Sequence, residues 1–128
     1  MILGIGSDLC NIERIQKSLD RWGDRFLNRV FTETERRKAA SRPQTTAGTL
    51  AKRFAAKEAF TKALGTGIRS PANWHGVWVV NLPSGKPELQ FTAALKTLLD
   101  KKRITSTHVS LSDEKGVAFA TVILECEQ

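Results

Sequence analysis

The sequence predicts an α+β fold in which mainly antiparallel strands pack around one long central helix, and three features carry that expectation. Residues 104–112 and 117–125 are β-rich runs flanking Asp113-Glu-Lys-Gly116, the signature of a hairpin. Pro83-Ser-Gly-Lys-Pro87 is a second turn, leading from the β-rich stretch 74–82 into a short run at 88–91. Between these and the N-terminal half lies a helical pattern over residues 46–64 with Leu50, Phe54, Phe60 and Leu64 on one side and Ala55, Ala56, Ala59 and Ala63 over much of the other. A helix with two packable sides belongs at a centre.

The elements follow in order. Residues 2–12 read as a strand in which Gly4 and Gly6 mark a close backbone approach. Residues 12–30 are helical, with Gly23 as a potential break. Thr32-x-x-Glu35 is a capping box opening a short charged helix. Arg42-Pro-Gln-Thr-Thr46 is a loop, and the long helix that follows is closed by Gly65. Arg69-Ser-Pro71 is another loop, and Thr92 caps a helix whose Leu95, Leu98 and Leu99 share a face.

With 128 residues and 41% hydrophobic content, the chain suits one folded domain spanning residues 1–128. A disordered tail or a low-complexity linker is excluded on composition. No run approaches the roughly 20 apolar residues of a membrane span, and the start lacks a basic n-region, so a soluble cytoplasmic protein without a membrane partner is expected. Cys10 and Cys126 show no C-x-x-C spacing, which speaks against a structural zinc site or a disulfide scaffold.

Twenty Lys and Arg against thirteen Asp and Glu give a net charge of +7. Through Arg69 there are fourteen basic and seven acidic residues, and beyond it six of each, so the excess lies wholly in the first half. On the first helix Arg14, Lys17, Arg21 and Arg25 fall within a stripe of about 80°, beside an apolar stripe of Ile15, Leu19, Trp22 and Phe26. A run of like charge is often no more than a solvated face. Four cations with only Asp20 and Asp24 nearby repel one another, however, which suits a strip that docks an acidic surface.

The long helix carries Arg53, Lys57, Glu58 and Lys62 scattered around its axis rather than gathered on one face. Charges on a helix packed on several sides are costly unless paired or bound to a ligand. Glu58 and Lys62 stand in the favourable i,i+4 order, which alone contributes only a few tenths of a kcal/mol. Asp8 interrupts an apolar strand just after Gly-Ile-Gly-Ser. A strand-end carboxylate with a helix carboxylate can hold Mg²⁺, which takes one or two protein carboxylates and completes its shell with water and substrate phosphates. Gly4-x-Gly6 is not a dinucleotide fingerprint, since Leu9 stands where the third glycine belongs, and there is no P-loop.

These residues form a recognisable series. Ile5-Gly-Ser-Asp8-Leu-Cys-Asn-Ile-Glu-Arg14, Lys52-Arg-Phe-Ala-Ala-Lys-Glu58-Ala-Phe-Thr-Lys62-Ala-Leu-Gly-Thr-Gly67, Gly85-Lys-Pro87 and His108-Val-Ser-Leu-Ser-Asp113 resemble, nearly end to end, the holo-[acyl-carrier-protein] synthases, small bacterial 4'-phosphopantetheinyl transferases. The resemblance implies the 4'-phosphopantetheinyl transferase-like fold, assembled as a homotrimer with each site at a subunit boundary. It implies a Mg²⁺-dependent transfer of the phosphopantetheine arm of coenzyme A to a serine of apo acyl carrier protein, releasing adenosine 3',5'-bisphosphate and supporting fatty acid biosynthesis.

Carried over position by position, Asp8 and Glu58 resemble the Mg²⁺ ligands and Lys62 the lysine beside the phosphate, these three forming the catalytic set. Gly65, Thr66 and Gly67 resemble the segment near coenzyme A. Gly85, Lys86 and Pro87 resemble the loop that holds its nucleotide end, with Arg53 a further candidate for the adenosine phosphates. His108 and Ser110, which project from one face of their strand, resemble coenzyme A contacts. Arg14, Lys17, Arg21 and Arg25 correspond to the basic helix that receives the carrier protein. Some relatives have Ser-His where this chain has Ser112-Asp113, so no role passes to Asp113. The general base is Glu58, Asp8 or a metal-bound water.

Two other readings compete. A basic nucleic-acid-binding module also suits the charge, but it leaves Asp8 and Glu58 without a purpose, and no RRM, KH or helix-turn-helix signature appears. A Mg²⁺-dependent phosphodiesterase would use two carboxylates and a lysine equally well.

Overall fold

A computed structural model describes residues 1–127. The chain runs β1 (Ile2–Asn11), α1 (Ile12–Trp22), α2 (Asp24–Val30), α3 (Glu33–Ala40), a single 3₁₀ turn at Pro43–Thr45, α4 (Thr46–Leu64), β2 (Val77–Asn81), β3 (Pro87–Phe91), α5 (Ala93–Lys101), β4 (Ile104–Glu114) and β5 (Val117–Cys126). All strand pairs are antiparallel: β1, β5 and β4 form one sheet in that order, and β2 and β3 form a second of two strands. The α+β class with mainly antiparallel strands is thus the observed one.

Local chemistry accounts for most boundaries. Asn11 ends β1 and caps α1, its side-chain oxygen accepting from the Glu13 amide at 2.9 Å. Gly23, at φ 53°, is the break the sequence offers, dividing the helical stretch into α1 and α2. The capping box of α3 is formed in both directions between Thr32 and Glu35. Gly65, at φ 84°, ends α4 in a left-handed cap, its N–H returning to the Thr61 carbonyl. The β4–β5 hairpin is tighter than the four-residue turn read from sequence: both strands continue until only Lys115 and Gly116 remain, at φ 51° and 82°. The strand expected from residue 74 begins instead at Val77, because Trp74 leaves the strand line to stack on Phe54 with ring centroids 5.0 Å apart.

The three-stranded sheet has two unlike faces. Gly4, Gly6, Asp8 and Cys10 of β1 pair with Leu124, Val122, Ala120 and Ala118 of β5 and look inward onto α4. The four β5 residues are buried. The opposite face carries Ile5 and Leu9, each 65% exposed, with Val117 and Phe119 beside them. Inward, α4 comes so close that a Cβ on Gly4 would lie 2.0 Å from the Ala63 carbonyl oxygen, and one on Gly6 would lie 2.1 Å from that of Ala59. Only glycine fits at these two positions. With α1, α3 and β2 on its other sides, α4 buries eleven of its nineteen residues, so its charged side chains must find partners inside the protein or at its few openings.

Candidate active site

β1 and α4 together set the first cluster. Asp8 lies on the face of β1 that meets α4, two residues past Gly6, and its register partner Ala120 is too small to crowd it. Asp8 is not at the strand's end as the sequence suggests; three more residues follow before α1 begins. Lys62 of α4 reaches across to it, Nζ donating to Asp8 Oδ1 at 2.9 Å and to the Ser7 carbonyl at 3.1 Å. Asp8 keeps 18% of its side chain exposed and Lys62 54%, so the pair sits at an opening rather than in the core.

Glu58, one turn before Lys62, completes the cluster. Its carboxyl is pushed above the ordinary glutamate range, first by partial burial and then by the negative charge of Asp8, while Lys62 and Arg14 pull the other way. Burial and the repulsion between the two carboxylates outweigh Lys62 and Arg14 at Glu58, and a divalent cation would relieve them. The field of this cluster extends to Cys10, whose thiol is held at about 11 by burial, opposed by Arg14 and reinforced by Asp8 and Glu58. Among the described residues no three His, Cys, Asp or Glu side chains gather as a complete metal cage. The donor set is therefore of the kind Mg²⁺ accepts when substrate phosphate and water supply the remaining oxygens.

A second cluster lies between α3, α4 and the β2–β3 turn. A depression of about 450 Å³ is lined by Lys38, Arg42, Lys52 and Arg53 together with Asn81, Gly85 and Pro87. Arg53 is almost wholly buried, donating to Asn81 Oδ1 at 2.8 Å and to the Thr49 carbonyl at 3.4 Å. Its Nε has no hydrogen-bond partner among the described residues. Burial lowers the proton affinity of this guanidinium, Glu35 opposes that shift, and Arg42 adds to it. Sequence reasoning identified Arg53 and the Gly85–Pro87 turn but missed Lys38, Arg42 and Lys52. They come from α3, the loop after it and α4, and no local periodicity marks their convergence. Lys86 is exposed at the turn and does not line the depression.

The basic strip is real but bent. Arg14, Lys17 and Arg21 line a depression of about 530 Å³ on α1 with Asn11, Glu13, Ser18 and Trp22. Lys17 is partly neutralised by Glu13 at 3.3 Å, an exposed pair. Arg25 lies past the Gly23 break on α2, where it and Arg29 border the adjoining depression with Ser18, Trp22 and Phe26. The half-exposed Trp22 ring has the Arg21 guanidinium 4.8 Å and the Arg25 guanidinium 5.7 Å from its centre. Arg14 sits 5.5 Å from the Phe54 ring and its charge reaches Glu58, which links the strip to the carboxylates.

His108 and Ser110 do not join either cluster within one chain. They register with Ile123 and Thr121 on the outward face of the sheet, two strands away from β1, where His108 Nε2 meets Glu125 Oε1 at 2.5 Å. Gly65, Thr66 and Gly67 form the turn that leaves α4, with Gly67 at φ 68°. Nothing would touch a Cβ at either glycine, so backbone shape rather than crowding selects them.

A small α+β protein with two strand–helix carboxylates at one opening, a cationic depression and a basic helix has the architecture of an enzyme that handles anionic phosphate esters. Residues 4–122 match the 4'-phosphopantetheinyl transferase superfamily, and the chain belongs to that family. It is similar to a holo-[acyl-carrier-protein] synthase of Erythrobacter litoralis, 55% identical over 132 aligned positions that cover 100% of this chain and 99% of that protein. In three dimensions it is similar to the holo-[acyl-carrier-protein] synthase of Neisseria meningitidis, with a TM-score of 0.92, 37% identity, and coverage of 98% and 99%. The synthase of Bacillus anthracis, solved in complex with CoA (3',5'-ADP), matches at a TM-score of 0.82 and 37% identity over 99% of both chains.

Proposed function

We propose that this protein transfers the 4'-phosphopantetheine arm of coenzyme A to a serine of apo acyl carrier protein, releasing adenosine 3',5'-bisphosphate, in a Mg²⁺-dependent reaction that supports fatty acid biosynthesis in the cytoplasm. The observation that carries the reading is the meeting of Asp8 from β1 with Glu58 and Lys62 from α4 at one opening, in a chain that matches the holo-[acyl-carrier-protein] synthases over its whole length.

Asp8 and Glu58 would hold the ion. When bound, Mg²⁺ supplies positive charge to the diphosphate bridge, where negative charge builds as the phosphorus–oxygen bond breaks. Lys62 presents a mobile point charge to the same phosphate and is free to exchange its contact with Asp8 for one to substrate. The serine proton has three candidate acceptors, Glu58, Asp8 and a water held by the ion.

The cationic depression would receive the adenosine phosphates, with Lys38, Arg42, Lys52 and Arg53 supplying positive charge and the Gly85–Pro87 turn forming one wall. Gly65 to Gly67 would let the backbone approach the cofactor. Arg14, Lys17, Arg21 and Arg25 would dock the acidic carrier protein, with Trp22 as an apolar contact between the guanidiniums.

The outward sheet face supports assembly as a homotrimer of single-domain chains. Ile5, Leu9, Val117 and Phe119 form a contiguous exposed apolar surface of the kind soluble proteins cover. His108 and Ser110 stand on that same face, so a neighbouring copy packed there could carry them to a site that one chain leaves incomplete.

The test is mass spectrometry of apo acyl carrier protein incubated with coenzyme A, Mg²⁺ and this protein. The reading requires a phosphopantetheine increment on the carrier that chelation prevents. Hydrolysis of coenzyme A with an unchanged carrier would instead establish a phosphodiesterase.

A further inference from the structure

Among the described residues the ion pair between Lys57 and Glu35 is the most deeply buried, with 1% and 0% of the two side chains exposed and Nζ 2.7 Å from Oε1. Neither residue reaches the opening where Asp8, Glu58 and Lys62 meet. Each is instead tied to a different element. Glu35 accepts from the Thr32 amide at 3.0 Å and, through Oε2, from the Val79 amide at 3.3 Å, joining the start of α3 to β2. Lys57 also donates to the Trp74 carbonyl, and Trp74 is stacked on Phe54 of the same helix.

A buried ion pair rarely adds stability beyond what apolar residues of similar volume would contribute, since its desolvation offsets its attraction. What it does provide is direction: a bonded pair fixes two elements in one relative orientation. On its β1 side α4 is held by close backbone contact at Gly4 and Gly6 and by apolar packing, which is less directional than a bonded ion pair. Lys57 lies next to Glu58, roughly 100° around that axis. Pinning Lys57 to α3 and to the Trp74 loop removes the rotation that would carry Glu58 away from Asp8.

We infer that the Glu35–Lys57 pair is a positioning clamp: the juxtaposition of Glu35, Lys57 and the Trp74 carbonyl locks α4 against rotation and thereby holds Glu58 opposite Asp8 in metal-binding geometry. The inference rests on the proposed reading of Asp8 and Glu58 as ligands. Both clamp residues are positioning residues, because neither touches the reacting groups.

The experiment compares wild type with a Glu35→Gln, Lys57→Met double variant. This variant removes both charges while leaving one side-chain oxygen for the Thr32 amide. Mn²⁺ uptake is followed by electron paramagnetic resonance with coenzyme A present and no carrier protein, and thermal unfolding is recorded in parallel. The clamp predicts that Mn²⁺ affinity falls by about tenfold, the scale of supporting interactions around metal ligands. A lower unfolding temperature with Mn²⁺ affinity unchanged would overturn it, since a purely structural pair behaves that way. If the double variant does not fold, Glu35→Asp, which keeps both charges and shortens the reach to Lys57, carries the test, with reduced affinity supporting the clamp and wild-type affinity overturning it. Absence of Mn²⁺ uptake by wild type would remove the ligand assignment itself, and the clamp with it.

Discussion

Replacing Gly6 by alanine is the sharpest perturbation the fold offers. The added Cβ would lie 2.1 Å from the Ala59 carbonyl oxygen, 2.6 Å from the Ala63 nitrogen and 3.0 Å from Lys62 Cβ. The first two are backbone atoms of α4 and cannot rotate aside. Restoring even a tight contact of 3.4 Å requires β1 and α4 to part by about 1.3 Å. Overpacking of this kind costs about 1–3 kcal/mol. At roughly 2 cal/mol/K of unfolding entropy per residue, that lowers the melting temperature of a chain this size by about 4–11 °C. The catalytic loss should be larger in proportion, because the same separation draws Glu58 and Lys62 away from Asp8, and a misplacement of about 1 Å can cost on the order of 100-fold in rate. Thermal unfolding by circular dichroism and initial rates of carrier modification by mass spectrometry measure the two effects. A Gly6→Ala protein with wild-type melting and wild-type rate would refute the claim that this close approach builds the site.

Glu58→Gln should raise the melting temperature of the metal-free protein at pH 8 while abolishing metal-dependent turnover. A carboxyl raised in the fold costs stability once ionised, so the gain should shrink as the pH falls toward 4.5, the ordinary glutamate value. A loss of stability at pH 8 would show that Glu58 is not in the repulsive setting described. Lys17→Glu with Arg21→Glu should raise the carrier-protein KM by about tenfold at low salt, leave the coenzyme A KM nearly unchanged, and lose most of its effect at high salt. Equal changes in both constants would count against α1 as the docking helix. Leu9→Glu places a charge in the exposed apolar face, so sedimentation should find the proposed homotrimer present for wild type and dissociated for the variant, with activity lost alongside. A fully active variant of unchanged mass would mean that this face is not the subunit contact.

What the sequence revealed and what it concealed divide along physical lines. The capping box at Thr32 and Glu35, the Gly65 cap and the Gly4 and Gly6 contacts were legible because each depends on a few neighbouring residues with one stereochemical purpose. The scattered charges on α4 were legible as a problem but not as a solution. Only the fold shows that Lys57 answers to Glu35 and Lys62 to Asp8, partners with no sequence signal in common. The bend at Gly23 carried Arg25 onto a separate helix, since a glycine at a positive φ of 53° breaks a wheel that periodicity treats as continuous. Lys38, Arg42 and Lys52 escaped notice because a loop and two helices converge there without any pattern along the chain. His108 and Ser110 were correctly read as sharing one face of a strand, but which side of the sheet that face occupies follows from pairing register, which the alternation alone does not specify.

The most direct measurement is anomalous diffraction from crystals grown with coenzyme A and Mn²⁺. A single Mn²⁺ peak within coordination distance of both the Asp8 and Glu58 carboxylates, and touching the diphosphate, is the expected result. A peak held by neither side chain, or a bound coenzyme A whose diphosphate lies away from both, would contradict the account.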